Sequence, residues 1–195
     1  MTAVRVWLAH LLEWMLLGIG IGCLATYGFE TVDARRFQFE QTAAFAREAR
    51  EGRTPSPVRA GGLVGMLDIP RLQLSTPVVE GDDDGTLQRA AGHLPDTPLP
   101  WQDGNSAIAA HRDGLFRPLK DVRVGDEIRF RTTTTEYRYR VTRTAIVGPT
   151  DLSVLKPDSS ATLTLITCYP FRYIGSAPKR FVVHAERIAA SKTAN

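Results

Sequence analysis

Cysteine is almost absent from this chain of 195 residues: only Cys23 and Cys168 occur. The first lies inside an N-terminal apolar run and the second in the globular part, so a disulfide framework is excluded and a zinc site built on cysteine is disfavoured. Charge of one sign is also lacking. Lys and Arg number 24 against 21 Asp and Glu, a formal net charge of +3, and the basic residues are scattered among acids. No basic run of the kind that tracks phosphates is present, which argues against a nucleic-acid partner. Internal repeats and low-complexity tracts are missing as well.

What the chain has first is a hydrophobic run. Val6 to Tyr27, "VWLAHLLEWMLLGIGIGCLATY", approaches the roughly 20 apolar residues that a bilayer helix needs and reads as one membrane span. His10 and Glu13 fall within it near one helical face, and an ionisable group at depth is costly unless paired or close to an interface. Both lie in the N-terminal half, within reach of the near headgroups. The run is longer than a signal-peptide core and lacks an A-x-A exit, so we expect an uncleaved anchor over residues 1–30 in contact with membrane lipid. "GIGC" has Gly20 where a lipoprotein acylation site usually has Leu, which leaves Cys23 as a small membrane residue. Flanking Arg residues are too few and too mixed with acids to set the topology.

Residues 31–60 read as a juxtamembrane helix and linker. "DARRFQFEQTAAFAREARE" lacks Gly and Pro, and Phe37, Ala44, Phe45 and Ala49 recur at near-helical spacing, as expected of a helical spacer. "GRTPSP" then breaks the helix, because each Pro removes a donor and fixes φ. About 130 residues remain, enough for one domain with one core. We place that domain at 61–190 and a flexible tail at 191–195.

The domain punctuates like an all-β protein. Short apolar or alternating runs appear at "LVGMLDIP", "LQLSTPVVEG", "NSAIAAH", "DEIRFRT", "EYRYRVTRTAIV", "ATLTLITC" and "KRFVVHAERI", separated by Gly, Pro, Asp and Asn. Such spacing fits a small barrel or sandwich. Two short helices are expected, one around "DDGTLQRAAG" with Asp84 as N-cap and one around "LFRPLKDV". The run Asp82, Asp83, Asp84 raises the question of Ca2+, which wants several oxygen ligands. The bracketing Gly81 and Gly85 favour a solvated turn that feeds the helix cap, so no cofactor is expected.

Strand parity places the reactive side chains. Successive strand residues face opposite sides, so Leu163, Leu165 and Thr167 share one face and Thr162, Thr164 and Cys168 the other. In the last run the apolar set is Phe181, Val183 and Ala185, which leaves Arg180, Val182 and His184 opposite. His111 likewise falls on the parity opposite to Ile108. A thiol is a nucleophile as its thiolate, so a working cysteine needs a nearby base or positive charge. His111 supplies the first and Arg180 the second. The histidine would also protonate a leaving amine, and the guanidinium would stabilise the oxyanion of a tetrahedral intermediate. Cysteine acyl chemistry follows. His93 competes with His111 for the acid/base role; His184 is expected at a groove edge or in solvent. Asp113 either bonds near His111 or caps a turn, and Trp101 and Tyr169 either line the groove or cover the barrel.

These segments resemble the sortase family. "TLTLITC" followed by "KRFVVHA" is similar to the TLxTC signature and trailing Arg strand of sortases, and "NSAIAAHRDGLFRPLKDVRVGDEI" resembles their His-Arg-Asp segment. The likeness runs in order over residues 63–188, and "CYPFRYIGSAPKRF" resembles the class D branch. The chain departs at Ala110, where many relatives have Gly, and at Asp96 in "GHLPDT". The resemblance implies an all-β, eight-stranded barrel with short helices behind an N-terminal transmembrane helix. It implies Cys168 as nucleophile, His111 as acid/base, Arg180 as the oxyanion-side and substrate-orienting group, and Thr167 and Asp113 in support. It further implies cleavage of LPxTG-like sorting signals after Thr and transfer of the acyl group to an amine, a cell-wall peptide or a pilin lysine. The catalytic domain would stand on the extracytoplasmic side of a single-pass membrane protein. The competing reading is a catalytically silent barrel used for binding or assembly.

Overall fold

A computed structural model describes residues 2–51, 58–157 and 160–192. The breaker "GRTPSP" and the last three residues of the expected tail lie outside the described residues. The chain divides into two units, residues 1–36 and 37–195.

In the first unit, helix α1 (Thr2–Arg50) begins; it is long and apolar enough to cross a membrane by length and composition. His10 Nδ1 and Glu13 Oε2 stand 3.4 Å apart one turn along it, so the two ionisable groups of the apolar run face each other.

The second unit opens with the last turns of α1. Phe37, Gln38, Gln41, Ala44, Phe45, Glu48 and Ala49 form the less exposed stripe, at the spacing of one helical face. Phe45 is buried beneath the Arg131 guanidinium, 5.8 Å from its ring centroid. Gln38 Nε2 donates to Arg89 O at 2.8 Å. The segment expected to be a spacer therefore packs on the barrel domain.

Eight strands close that barrel in the order β1-β2-β3-β4-β7-β8-β6-β5. They are β1 (Leu63–Ile69), β2 (Leu74–Glu80), β3 (Ala91–His93), β4 (Asn105–Ala109), β5 (Glu127–Arg131), β6 (Thr135–Val147), β7 (Thr162–Tyr169) and β8 (Lys179–Lys192). Pairing is parallel for β2 with β3 and for β4 with β7, and antiparallel elsewhere. Inward residues of every sheet region meet in one core that includes Leu67, Val78, Ile108, Phe130, Leu163 and Val183. Phe116 and Leu119, from the turn around Arg117–Asp121, are fully buried in it. Residues 191 and 192 belong to β8 and not to a tail.

One strand was not legible from alternation. β3 has three residues, too few to show a period, and all three are buried. It is held by its neighbours: Gly81 N donates to His93 O at 2.9 Å, and a Cβ built on Gly92 would stand 2.1 Å from Gly81 O. The short helix α2 (Asp84–Arg89) is capped by Asp83, not Asp84. Asp83 Oδ1 accepts from Thr86 N at 3.1 Å and Oδ2 from the Thr86 hydroxyl at 2.7 Å, which holds its carboxyl below the usual range. The acidic run is thus partly spent on a cap, as the flanking glycines indicate.

The turn before β5 is fixed by a fork. Arg71 donates from Nε and Nη2 to both oxygens of Asp126, and Arg123 N donates to Oδ2 at 2.8 Å. Asp126 is held below the usual carboxylate range, first by the Arg71 bond.

Gly92→Ala is expected to destabilise the domain by about 1–3 kcal/mol, since the Gly81 backbone and the Leu87 side chain must give way; the denaturant midpoint measures it. Asp126→Asn is expected to lower stability at neutral pH. A carboxyl whose folded pKa lies below its unfolded value of about 3.9 stabilises above that value and loses its effect as pH falls through the folded one. The gap between wild type and Asp126→Asn in urea titrations should therefore close as pH drops below 4 and be constant above about 5.

Candidate active site

The parallel ladder of β4 and β7 keeps one offset, from Asn105 opposite Thr162 to Ala109 opposite Ile166. Carried two residues further along both chains, that offset sets His111 beside Cys168. On the other side of β7, Thr164 faces His184, Ile166 faces Val182 and Cys168 faces Arg180. On the side of these strands away from the core three ranks follow: Ala107, Thr164 and His184, which are buried; then Ala109, Ile166 and Val182, the last buried; then Cys168 and Arg180, with His111 two residues past the end of β4. The residues between them in sequence, among them Ile108, Leu163, Leu165 and Val183, belong to the core. Neighbouring strands lie about 4.8 Å apart, so Arg180 flanks Cys168 at one strand spacing, while on the other side His111 follows Ala110, whose N–H bonds Ile166 O.

A small clamp holds this rank level. Ala110 N donates to Ile166 O at 3.2 Å, and the Thr167 hydroxyl donates to Ala110 O at 2.7 Å. Thr167 is buried, and its side chain points inward while Cys168, the next residue, points out. Ala110 is itself buried, so its methyl is part of the core and leaves the His111 backbone uncrowded. Beyond it, Phe116 N donates to His111 O at 3.1 Å, and the buried Phe116 ring anchors the turn that carries the histidine.

Cys168 is a free thiol of intermediate exposure, and His111 and Arg180 are half-buried. Arg180 Nη1 donates to Ala177 O at 3.3 Å and to Lys179 O at 3.1 Å, which ties that end of the guanidinium to the β7–β8 loop. Among the described residues no hydrogen bond joins His111, Cys168 and Arg180 to one another.

Asp113 is exposed and, among the described residues, accepts nothing from His111; it sits in the turn. His93 is buried, with Nδ1 at 2.7 Å from Glu80 Oε2 and Nε2 at 3.0 Å from Pro98 O, so both ring nitrogens are engaged in holding β3. Trp101 packs against the core with its ring tilted on Phe130 at 6.5 Å, which makes it a cover for the barrel. Tyr169 stacks on Phe181 at 6.4 Å and meets Phe171 edge-on at 6.1 Å, so the residues after the cysteine form an aromatic platform at the root of the β7–β8 loop. Among the described residues no cluster of His, Cys, Asp and Glu is arranged to hold a metal ion.

Two features escaped the sequence reading. His184 is not solvated: it is 7% exposed, with Nδ1 at 3.1 Å from the Thr164 hydroxyl. Parity gave its face correctly but carries no information on what covers that face. Arg112, next to His111, donates from Nη2 to Tyr173 O at 2.9 Å and Gly175 O at 3.3 Å, with its guanidinium 5.8 Å from the Tyr173 ring centroid. It fastens the β7–β8 loop to the histidine turn. The "HRD" triplet marked the place, yet a loop tether has no periodic signal.

The sortase domain model matches residues 67–188. A sortase D from Bacillus subtilis (strain 168) is 35% identical over 129 residues, which is 66% of this chain and 65% of that protein. A sortase A from Listeria monocytogenes is 31% identical over 110 residues, 54% of this chain and 49% of that one, so the chain spans less than two thirds of either relative. Among solved structures, a sortase D5 transpeptidase from Clostridium perfringens superposes with a TM-score of 0.67 at 26% identity, covering 82% of this chain and 99% of its own. The sortase A structure from Listeria monocytogenes gives 0.62 at 28% identity, covering 68% and 91%. The family model spans more than half of the chain, and the chain belongs to the sortase family.

Proposed function

We propose that the protein is a membrane-anchored cysteine transpeptidase, which cleaves an LPxTG-like sorting signal after Thr and transfers the acyl group to an amine. The observation that carries this reading is the pairing of Cys168 with Arg180 across β7 and β8, together with the bond from Thr167, the residue before Cys168, to Ala110, the residue before His111.

In this reading Cys168 Sγ attacks the Thr carbonyl of the signal and forms a tetrahedral intermediate. Arg180, with Nη1 tied to the loop, offers the rest of its fork to the oxyanion and to the peptide backbone. His111, having taken the proton of the Cys168 thiol, gives it to the departing amine, which leaves a thioester on Cys168. An incoming amine then attacks the thioester, and His111 carries its proton to the departing sulfur, which is released as the thiol. The acceptor is an amine of a cell-wall peptide or a pilin lysine. The donors are proteins that carry the signal at their C-terminus. The N-terminal apolar helix serves as the anchor, and the barrel stands on the extracytoplasmic side.

A catalytically silent barrel would have no need of all three side chains in one rank. Cys168→Ala should abolish the acyl adduct with an LPxTG-like peptide, read by intact-protein mass spectrometry, and leave the melting temperature unchanged. Undiminished cleavage by that variant would sink the mechanism. Thr167→Val removes the bond to Ala110 O while keeping the shape. It should cut kcat/KM roughly tenfold or more, about the value of one buried hydrogen bond, while the rate of Cys168 alkylation by iodoacetamide changes much less.

A further inference from the structure

His184, in the first of the three ranks, lines a cavity of about 280 Å3 together with Asn105, Arg143, Val154, Lys156 and Glu186 among others. It lies toward the opposite end of β7 from Cys168 but on the same face, since Thr162, Thr164 and Cys168 share one parity. Small-molecule sites usually run from about 300 to 1,000 Å3, so this cavity suits one or two side chains and not a cofactor.

Its chemistry follows from a chain of hydrogen bonds. Asn105 Nδ2 donates to Val154 O at 2.9 Å and to Lys156 O at 3.3 Å, which fixes the orientation of the amide. Asn105 Oδ1 is then an acceptor, and the Thr164 hydroxyl gives it its single proton at 2.7 Å. Toward His184 the Thr164 oxygen has lone pairs alone, so Nδ1, at 3.1 Å, carries the ring proton. Burial, with Arg143 adding to it, holds the His184 pKa down at about 4, so the ring is neutral at physiological pH. Its Nε2 is therefore an acceptor. That atom is buried and has no hydrogen-bond partner among the described residues. A buried acceptor without a donor is the exception in folded proteins, and a ligand that supplies the donor removes the cost.

We propose that this cavity is a specificity subsite for the peptide being cleaved, where His184 Nε2 accepts a hydrogen bond from a donor side chain such as Thr, Ser, Asn or Gln. The position follows from distance and rests on the reaction proposed above. Thr164 lies four residues before Cys168 on β7, about 13 Å at the rise of a strand, and an extended peptide needs four residues for the same span. Counted back from the Thr whose carbonyl meets Cys168, that is the residue just before the Leu of the signal. The acyl side is the one assigned, because it alone stays attached while the leaving segment is exchanged for the amine. Between the two ends lie the partly exposed Ala109 and Ile166, a low apolar floor. Arg143, Lys156 and Glu186 surround the cavity with both signs of charge, so selection falls to Nε2.

The test compares peptides that differ only at that position, using the full chain in detergent micelles and reading the rate of Cys168 acylation. Thr should outpace its isostere Val by roughly tenfold, the value of one buried hydrogen bond, and Gln should outpace Glu. His184→Leu should erase both preferences. Thr164→Val frees the ring to carry its proton on Nε2, so Glu should gain on Gln; a purely structural His184 would give no such reversal. Equal rates for Thr and Val in the wild type, a preference for Glu, or selectivity confined to the downstream side of the cut would overturn the subsite. A second readout does not depend on chemistry: in the Cys168→Ala chain labelled with 15N-histidine, the Nε2 resonance of His184 should move on addition of the Thr peptide and not the Val peptide. If that shift appears while no peptide acylates wild-type Cys168, the catalytic reading fails and the subsite stands. Acylation with an unmoved resonance overturns the subsite alone.

Discussion

The site depends on one parallel strand contact. β4 and β7 are far apart in sequence, and their alignment decides whether His111 and Cys168 stand side by side or a residue out of step. A slip of one residue would turn the histidine into the core, because side chains alternate with period two. The bond from the buried Thr167 hydroxyl to Ala110 O lies one residue before both reactive groups and fixes the register there. A threonine inside the barrel thus helps to set what stands outside it: Thr167 turns its hydroxyl inward to Ala110 O, and the next residue, Cys168, projects the other way.

Much of this was legible in the sequence because alternation survives in long strands. Leu163, Leu165 and Thr167 point inward and Cys168 outward, as their spacing dictates, and Phe37, Ala44, Phe45 and Ala49 mark the helical stripe that rests on the barrel. Signals that depend on close approach were not legible. β3 is too short for a period and exists because Gly92 lets the backbone of Gly81 come near. The cap of α2 fell one residue early, to Asp83, since neighbouring Asp residues offer the same side chain and only backbone geometry separates them.

His184 shows a different limit. Parity reports which face a side chain takes, but burial on that face depends on a loop from elsewhere in the chain. Here Val154 and Lys156, from the turn before β7, lay their carbonyls against Asn105. That contact orients the Asn105 amide and, through the Thr164 hydroxyl, sets which nitrogen of the His184 ring carries the proton. Arg112 is of the same kind, since its partners Tyr173 and Gly175 lie sixty residues on, in a loop without pattern.

Closure of the sheet has one further consequence. Each of the eight strands has a partner on both sides over part of its length, and β7 is paired with β8 as far as Tyr169 and with β4 as far as Ile166, so the strand that bears Cys168 offers little free edge to which an extended peptide could add. A peptide that reaches Cys168 must lie across the face of the sheet, where backbone amides are already paired within the barrel. Its contacts are then with side chains and loop carbonyls, and the barrel reads it by the shape and polarity of what each residue projects and not by the regular hydrogen bonding of its main chain.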